Sequence, residues 1–219
     1  MVFLRKTAIF IFYFILGFCL ILSFEKANQI IGLQQLKSPL PSSPFSLNVA
    51  PGKSLRGTIA NLSGDVLWQS RIATTPAAIK KPQQIQQGED LVTKGNGQAN
   101  IVFSSVANLL IYPKTEVNFI QTLPENILIE QKSGDANYKA LKDNLLNIRS
   151  NSLLAKINQG EIMFSVNENQ PQITIDVKSG QITVAYNDIN YLTQVMNISS
   201  GNRLIFNTNS KRISLAAIQ

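Results

Sequence analysis

Histidine is absent from this chain of 219 residues, and cysteine occurs once. Without histidine there is no imidazole general base, no imidazole metal ligand and no Ser-His-Asp or Cys-His arrangement. Cys19 lies inside an uncharged apolar run, so no disulfide forms in the remainder and no thiol nucleophile is available there. Charge is also scarce: 15% of residues are charged against 44% hydrophobic. The net charge is +7, and Arg5 with Lys6 supplies two of it, leaving +5 for the body. Beyond Arg5-Lys6, only Lys80-Lys81 and Lys211-Arg212 are adjacent basic pairs. Nucleic-acid surfaces cluster Lys and Arg among aromatics, and that pattern is missing, so nucleic acid is not expected as a partner.

What is present begins with Thr7–Phe24, 18 residues without charge. As a helix this run spans roughly 27 Å at about 1.5 Å per residue, close to a bilayer's hydrocarbon thickness. Leu22-Ser23-Phe24-Glu25 offers no small-x-small cleavage site, which favours an uncleaved anchor over a signal peptide. Arg5 and Lys6 precede the run, whereas Glu25 and Lys26 nearly cancel after it, so the N-terminus is expected inside. The expected organisation is a cytoplasmic tip at 1–6, a transmembrane anchor at 7–24, a juxtamembrane segment and Pro/Ser-rich linker at 25–51, and a domain at 52–219. Lys37–Pro51 carries four prolines and four serines in 15 residues. Extended, it reaches up to about 45 Å at roughly 3.1 Å per residue.

Beyond residue 52 the pattern becomes alternating. Val66–Trp68, Ala99–Phe103, Val117–Phe119 and Ile127–Ile129 suit half-buried strands. Glycine followed by one polar residue introduces several of them, at Gly64, Gly134, Gly160, Gly180 and Gly201, which predicts turns there. The last three are 20 and 21 residues apart, the spacing of stacked hairpins. Asp135–Ser150 admits a helix through Tyr138, Leu141 and Leu145, but a turn at Lys142–Asn144 between two strands is preferred.

Candidate chemistry is thin. Glu89 and Asp90 are adjacent, so in a strand they point to opposite faces; Glu125 and Glu130 flank the strand 126–129. The only Ser-x-x-Lys, Ser23 with Lys26, marks the membrane boundary. Lys94-Gly95-Asn96-Gly97 lacks the helix and Gly-Lys-Ser/Thr ending of a phosphate loop and reads as a hairpin turn. Trp68 reads as a core aromatic in preference to a sugar-stacking platform. No cofactor, metal or catalytic residue is assigned.

In their order these pieces resemble the FecR family of extracytoplasmic β-domains. Gly88-Glu89-Asp90-Leu91-Val92-Thr93 is similar to its Gly-x-x-hydrophobic-x-Thr opening, and Gly97–Phe103 to the strand that follows. Leu109–Val117, with Pro113-Lys114-Thr115, resembles its strand–turn–strand. Leu128–Gly134, Gly160–Val166 and Gly180–Val184 match later strands, although Glu161 stands where the family has threonine. The resemblance implies an all-β fold, a jelly-roll or β-roll-like domain of short antiparallel strands, preceded here by one transmembrane helix. It also implies display outside the cytoplasm. Well-known members regulate sigma factors through a cytoplasmic N-terminal domain, for which 1–6 leave no room, so that activity is not carried over. The expectation is therefore a non-catalytic interaction module engaging a protein partner or a cell-envelope polymer. A sensory subunit of a transmembrane signalling system is the alternative, and an envelope hydrolase using Glu89, Asp90, Glu125 or Glu130 a third.

Overall fold

The computed structural model describes residues 53–218 other than 144 and 168. The expected cytoplasmic tip, anchor and linker (1–51) lie outside these residues. The described part is all-β, without a helix, and therefore without one long and apolar enough to cross a membrane.

Its strands, in chain order, are β1 (Gly57–Ser63), β2 (Val66–Gln69), β3 (Ala77–Ile79), β4 (Gln84–Ile85), β5 (Asp90–Thr93), β6 (Gln98–Phe103), β7 (Ala107–Ile111), β8 (Glu116–Leu123), β9 (Asn126–Ala140), β10 (Leu146–Ser150), β11 (Leu153–Asn167), β12 (Gln172–Asn187), β13 (Thr193–Ser199), β14 (Asn202–Asn207) and β15 (Arg212–Ala217). All belong to one hydrogen-bonded network. The network folds over because β9, β11 and β12 change neighbours halfway along. The first half of β9 pairs with β8 and β10, its second half with β7 and β11. Early β11 lies beside β10 and late β12, whereas late β11 lies beside late β9 and early β12. Two layers result. One runs β3-β2-β5-β8-β9-β10-β11-β12-β13, the other β4-β1-β6-β7-β9-β11-β12-β14-β15.

Alternation shows how each long strand changes layer. In β9 the buried positions are Ile127, Ile129, Gln131 and Ser133, then Ala136, Tyr138 and Ala140. In β11 they are Leu153, Ala155 and Ile157, then Ile162, Phe164 and Val166; in β12, Ile173, Ile175 and Val177, then Ile182 and Val184. Odd numbers give way to even ones at the crossing. A bulge adds one residue and resets which side chains face inward. The β11–β12 register slips on both sides of Gly160. There Gly160 pairs with Gly180, at φ +119° and +77°, a backbone region that excludes a Cβ at low cost only for glycine.

Between the layers the core is closed by cross-layer aromatics. Phe103 of β6 meets Phe119 of β8 with ring centres 6.0 Å apart, and Tyr186 of β12 meets Phe206 of β14 at 5.5 Å. Tyr138 is fully buried, donates to Gln131 Oε1 at 3.0 Å and meets Phe164 edge-on. Gln131 Nε2 in turn donates to Gly134 O and Phe164 O, tying the β9 crossing to β11.

Three expectations need correction. Strands were expected to be short, but β9, β11 and β12 run 15, 15 and 16 residues. The predicted turns at Gly134, Gly160 and Gly180 are bends within those strands, because each glycine carries the chain from one layer to the other while the ladder continues; only Gly64 and Gly201 sit in turns. The sheet is also mixed: β10 runs parallel to β9, from Leu146 opposite Ile127 to Arg149 opposite Glu130. The preferred strand–turn–strand reading of 135–150 holds, with β9 ending at Ala140 and β10 starting at Leu146.

Candidate functional site

The sequence-derived carboxylates take separate structural posts. Glu89 turns inward and is 7% exposed; its Oε2 accepts from Trp68 Nε1 at 3.0 Å and Gln86 N at 2.8 Å. Asp90 turns outward as alternation requires, accepting from Asn118 Nδ2 at 2.9 Å and pairing with Lys132 at 3.4 Å. Lys132 also reaches Glu116 at 2.6 Å; that hydrogen bond above all, with Asp90 adding to it, raises the ammonium's pKa. Glu130 pairs with Arg149 at 2.8 Å, and Glu125 is exposed between β8 and β9. Among the described residues no three of Asp, Glu, His or Cys gather as metal ligands. Trp68 is half-buried and packs against the core.

Lys94–Gly97 is a turn, closed by Gly97 N to Lys94 O at 3.0 Å, but it is not a hairpin. The strands it joins, β5 and β6, belong to different layers, because β5 pairs with β2 and β8 while β6 pairs with β1 and β7.

The chain enters at one end of the sandwich, where Leu55 N donates to Thr122 O. At the other end lie the connections 94–97, 112–115, 151–152, 188–192 and 208–211. Lys114 N donates to Lys94 O, and Lys211 Nζ lies 5.9 Å over the Phe206 ring and donates to Ser152 Oγ at 2.9 Å. Two adjoining grooves of about 350 and 390 Å³ open there on either side of the β11–β12 turn. Amide and hydroxyl side chains, among them Asn151, Asn167, Asn169, Gln172 and Thr174, form half of their walls, beside Lys114, Lys132 and Asp135. The amides and hydroxyls donate and accept without charge.

Beside the grooves stands a feature that sequence reading missed. The β12–β13 connection, 188–192, holds Ile189, Tyr191 and Leu192 in solvent at 65%, 88% and 60% exposure. Asp188 organises it: Oδ1 accepts from Asn190 N at 2.9 Å and Leu192 N at 3.0 Å, and Oδ2 from Gln194 Nε2 at 2.9 Å. These bonds, Gln194's first, hold the carboxyl below the usual carboxylate range. They also hold Tyr191 at φ +61°, a region costly for a bulky side chain. The knuckle continues onto the outer face of the sheet. Across one row, Asp90, Asn118, Glu130 and Arg149 stand side by side, then the row turns apolar at Leu154, Ala185 and Val195. Three apolar residues inside the turn-like Asn187-Asp188-Ile189-Asn190-Tyr191-Leu192 were the available signal.

No family model matches the chain, and no curated protein is similar to it. Among solved structures, two crystal structures of a candidate anti-sigma factor from Parabacteroides distasonis are similar to it. Both superimpose with a TM-score of 0.51, at 13% and 12% identity, covering 58% of this chain and 59% of theirs. At that identity the likeness is one of fold, and it spans somewhat over half of either chain.

Proposed function

We propose that this chain is a non-catalytic binding module of the FecR type, held outside the cytoplasm by an anchor at 7–24, and that it engages a protein partner through its loop end. The knuckle carries this reading. Large apolar side chains held in water by a turn that is itself held in a costly conformation cost stability and serve no core. Rigid aromatic and aliphatic anchors are what protein interfaces use at their centres. The FecR assignment draws on the order of glycine-and-strand motifs and on the shared all-β fold. The amide-lined grooves suit a cell-envelope polymer as a second occupant of the same end.

A photo-crosslinking residue at position 190, exposed within the knuckle, in the full chain in its native membrane, tests this. Adducts with one protein, lost in an Ile189→Ser, Tyr191→Ser, Leu192→Ser variant that keeps its β-structure, are expected. Adducts indifferent to that variant overturn the proposal, and pelleting with purified wall polymer alone moves the function to the grooves.

A second reading is favoured by the fold likeness to candidate anti-sigma factors: a sensory subunit that relays occupancy through residues 7–24 to another membrane protein. Replacing those residues with an unrelated apolar helix then abolishes the cellular response. An unchanged response removes this reading.

A further inference from the structure

Among the described residues the two layers end in four strand edges: β3, β4, β13 and β15. Three carry the devices that stop edges from pairing with other chains. β3 and β4 are three and two residues long, and β15 opens with Arg212 directly after Lys211. β13 carries none. Thr193–Ser199, TQVMNIS, is seven residues long without charge or proline, and its residues are mostly exposed.

The bonding of β13 shows what its free edge presents. At the turn Asp188 N donates to Leu192 O, and at the far end Ser200 N donates to Gly180 O. Antiparallel bonding alternates, so residues 194, 196 and 198 turn their backbone groups toward β12. Thr193, Val195, Asn197 and Ser199 turn theirs outward. Asn202 Nδ2 donates to Ser199 O at 3.1 Å; among the described residues nothing takes the outward groups of the other three.

We infer that β13 pairs antiparallel with β13 of a second copy of this chain, about a two-fold axis through Met196. The outward residues are placed symmetrically about Met196. In this register Val195 exchanges bonds with the second copy's Asn197, Thr193 with its Ser199, and the reverse, so every outward residue finds a partner of its own kind of bonding. Self-pairing brings like residues together, which a charged strand of a basic chain would resist and this uncharged one does not. The two methionines at the axis form a soft apolar contact. An antiparallel pair puts the two chain entries at opposite ends, a strand's length of roughly 23 Å apart at about 3.3 Å per residue. The 188–192 knuckles lie beyond the paired stretch, so the inference does not rest on the loop end's partner.

Disulfide trapping on the full chain in detergent, in a Cys19→Ser background, tests the pairing. Met196→Cys sits at a non-hydrogen-bonded site facing itself, with Cα atoms about 4.5 Å apart, within disulfide reach. It is expected to crosslink to dimer at least tenfold more than Ile72→Cys, a control residue that is 89% exposed. Mixed Val195→Cys and Asn197→Cys chains crosslink to each other and not to themselves. The exposed pair Val195→Lys, Asn197→Lys lowers the dimer fraction tenfold or more with circular dichroism unchanged, while the Ile189, Tyr191, Leu192 serine variant leaves it intact. Equal trapping of Met196→Cys and Ile72→Cys, or a monomer by light scattering at every concentration, overturns the inference, as does trapping that ignores register.

Discussion

Gly160 of β11 faces Gly180 of β12 so closely that a Cβ on either would lie 3.0 Å from the other's Cα. The same Cβ would also stand 2.0 Å from Ser179 O at Gly160, or 1.8 Å from Gln159 O at Gly180. These are backbone atoms that cannot step aside without breaking the crossing between layers. Gly201, at φ +82°, has nothing within 4 Å of such an atom.

The contrast makes a graded prediction. Gly201→Ala is expected to cost about 1–2 kcal/mol, the conformational term alone. Gly180→Ala adds a backbone clash and is expected to cost more than about 4 kcal/mol, or to prevent folding. Urea denaturation of the two variants checks the order.

Glu89 is a structural carboxylate, closing the Trp68 indole and the Gln86 amide at once. Glu89→Ala leaves two donors without their acceptor and is expected to destabilise by about 1–3 kcal/mol. Glu89→Gln retains one acceptor and costs less. Thermal melts followed by the fluorescence of the single tryptophan measure both; equal costs for the two variants would show that the carboxylate's acceptors are not what matters.

Tyr138 is fully buried, and burial pushes its phenol well above the ordinary value of about 10. Its folded-state pKa exceeds the unfolded one, so the stabilising contribution is whole below about pH 10 and falls as pH rises toward the folded value. Spectrophotometric titration should show one tyrosine ionising only as the domain unfolds in alkali. Tyr138→Phe flattens that alkaline loss of stability, at an expected cost near neutrality of about 1–3 kcal/mol from the unpaired Gln131 Oε1.

Asp188 shifts the other way. Its folded-state pKa lies below the unfolded value, so its contribution to the knuckle is present above about pH 4 and is lost as pH falls through the folded value. The amide resonances of Asn190 and Leu192 should hold steady down to that range and move only below it. Asp188→Ala should free Tyr191 from its positive φ at every pH, read as lost amide protection at Leu192.

Much of the fold was legible along the chain. Alternation in Ala99–Phe103, Val117–Phe119 and Ile127–Ile129 shows strands with one buried face, because a period of two places successive side chains on opposite faces. The break at 141–145 showed through its polar residues. The Glu89–Asp90 split across two faces followed from adjacency alone. The bends did not show. Glycine with a polar neighbour looks the same whether it ends a strand at Gly64 or folds one over at Gly160, since both need only a free φ.

By itself, then, the sequence determined an all-β body built from half-buried strands, and an inventory of side chains without imidazole. Those are properties of residues and of their nearest neighbours along the chain. Tertiary structure alone decided that Glu89 meets Trp68, that Lys94–Gly97 joins two layers, that β10 runs parallel to β9, and that β13 stands at an edge of the described strands. Each depends on which distant strand lies alongside and in what register. Alternation states which face of a strand is buried, and carries no record of the strand that will bury it.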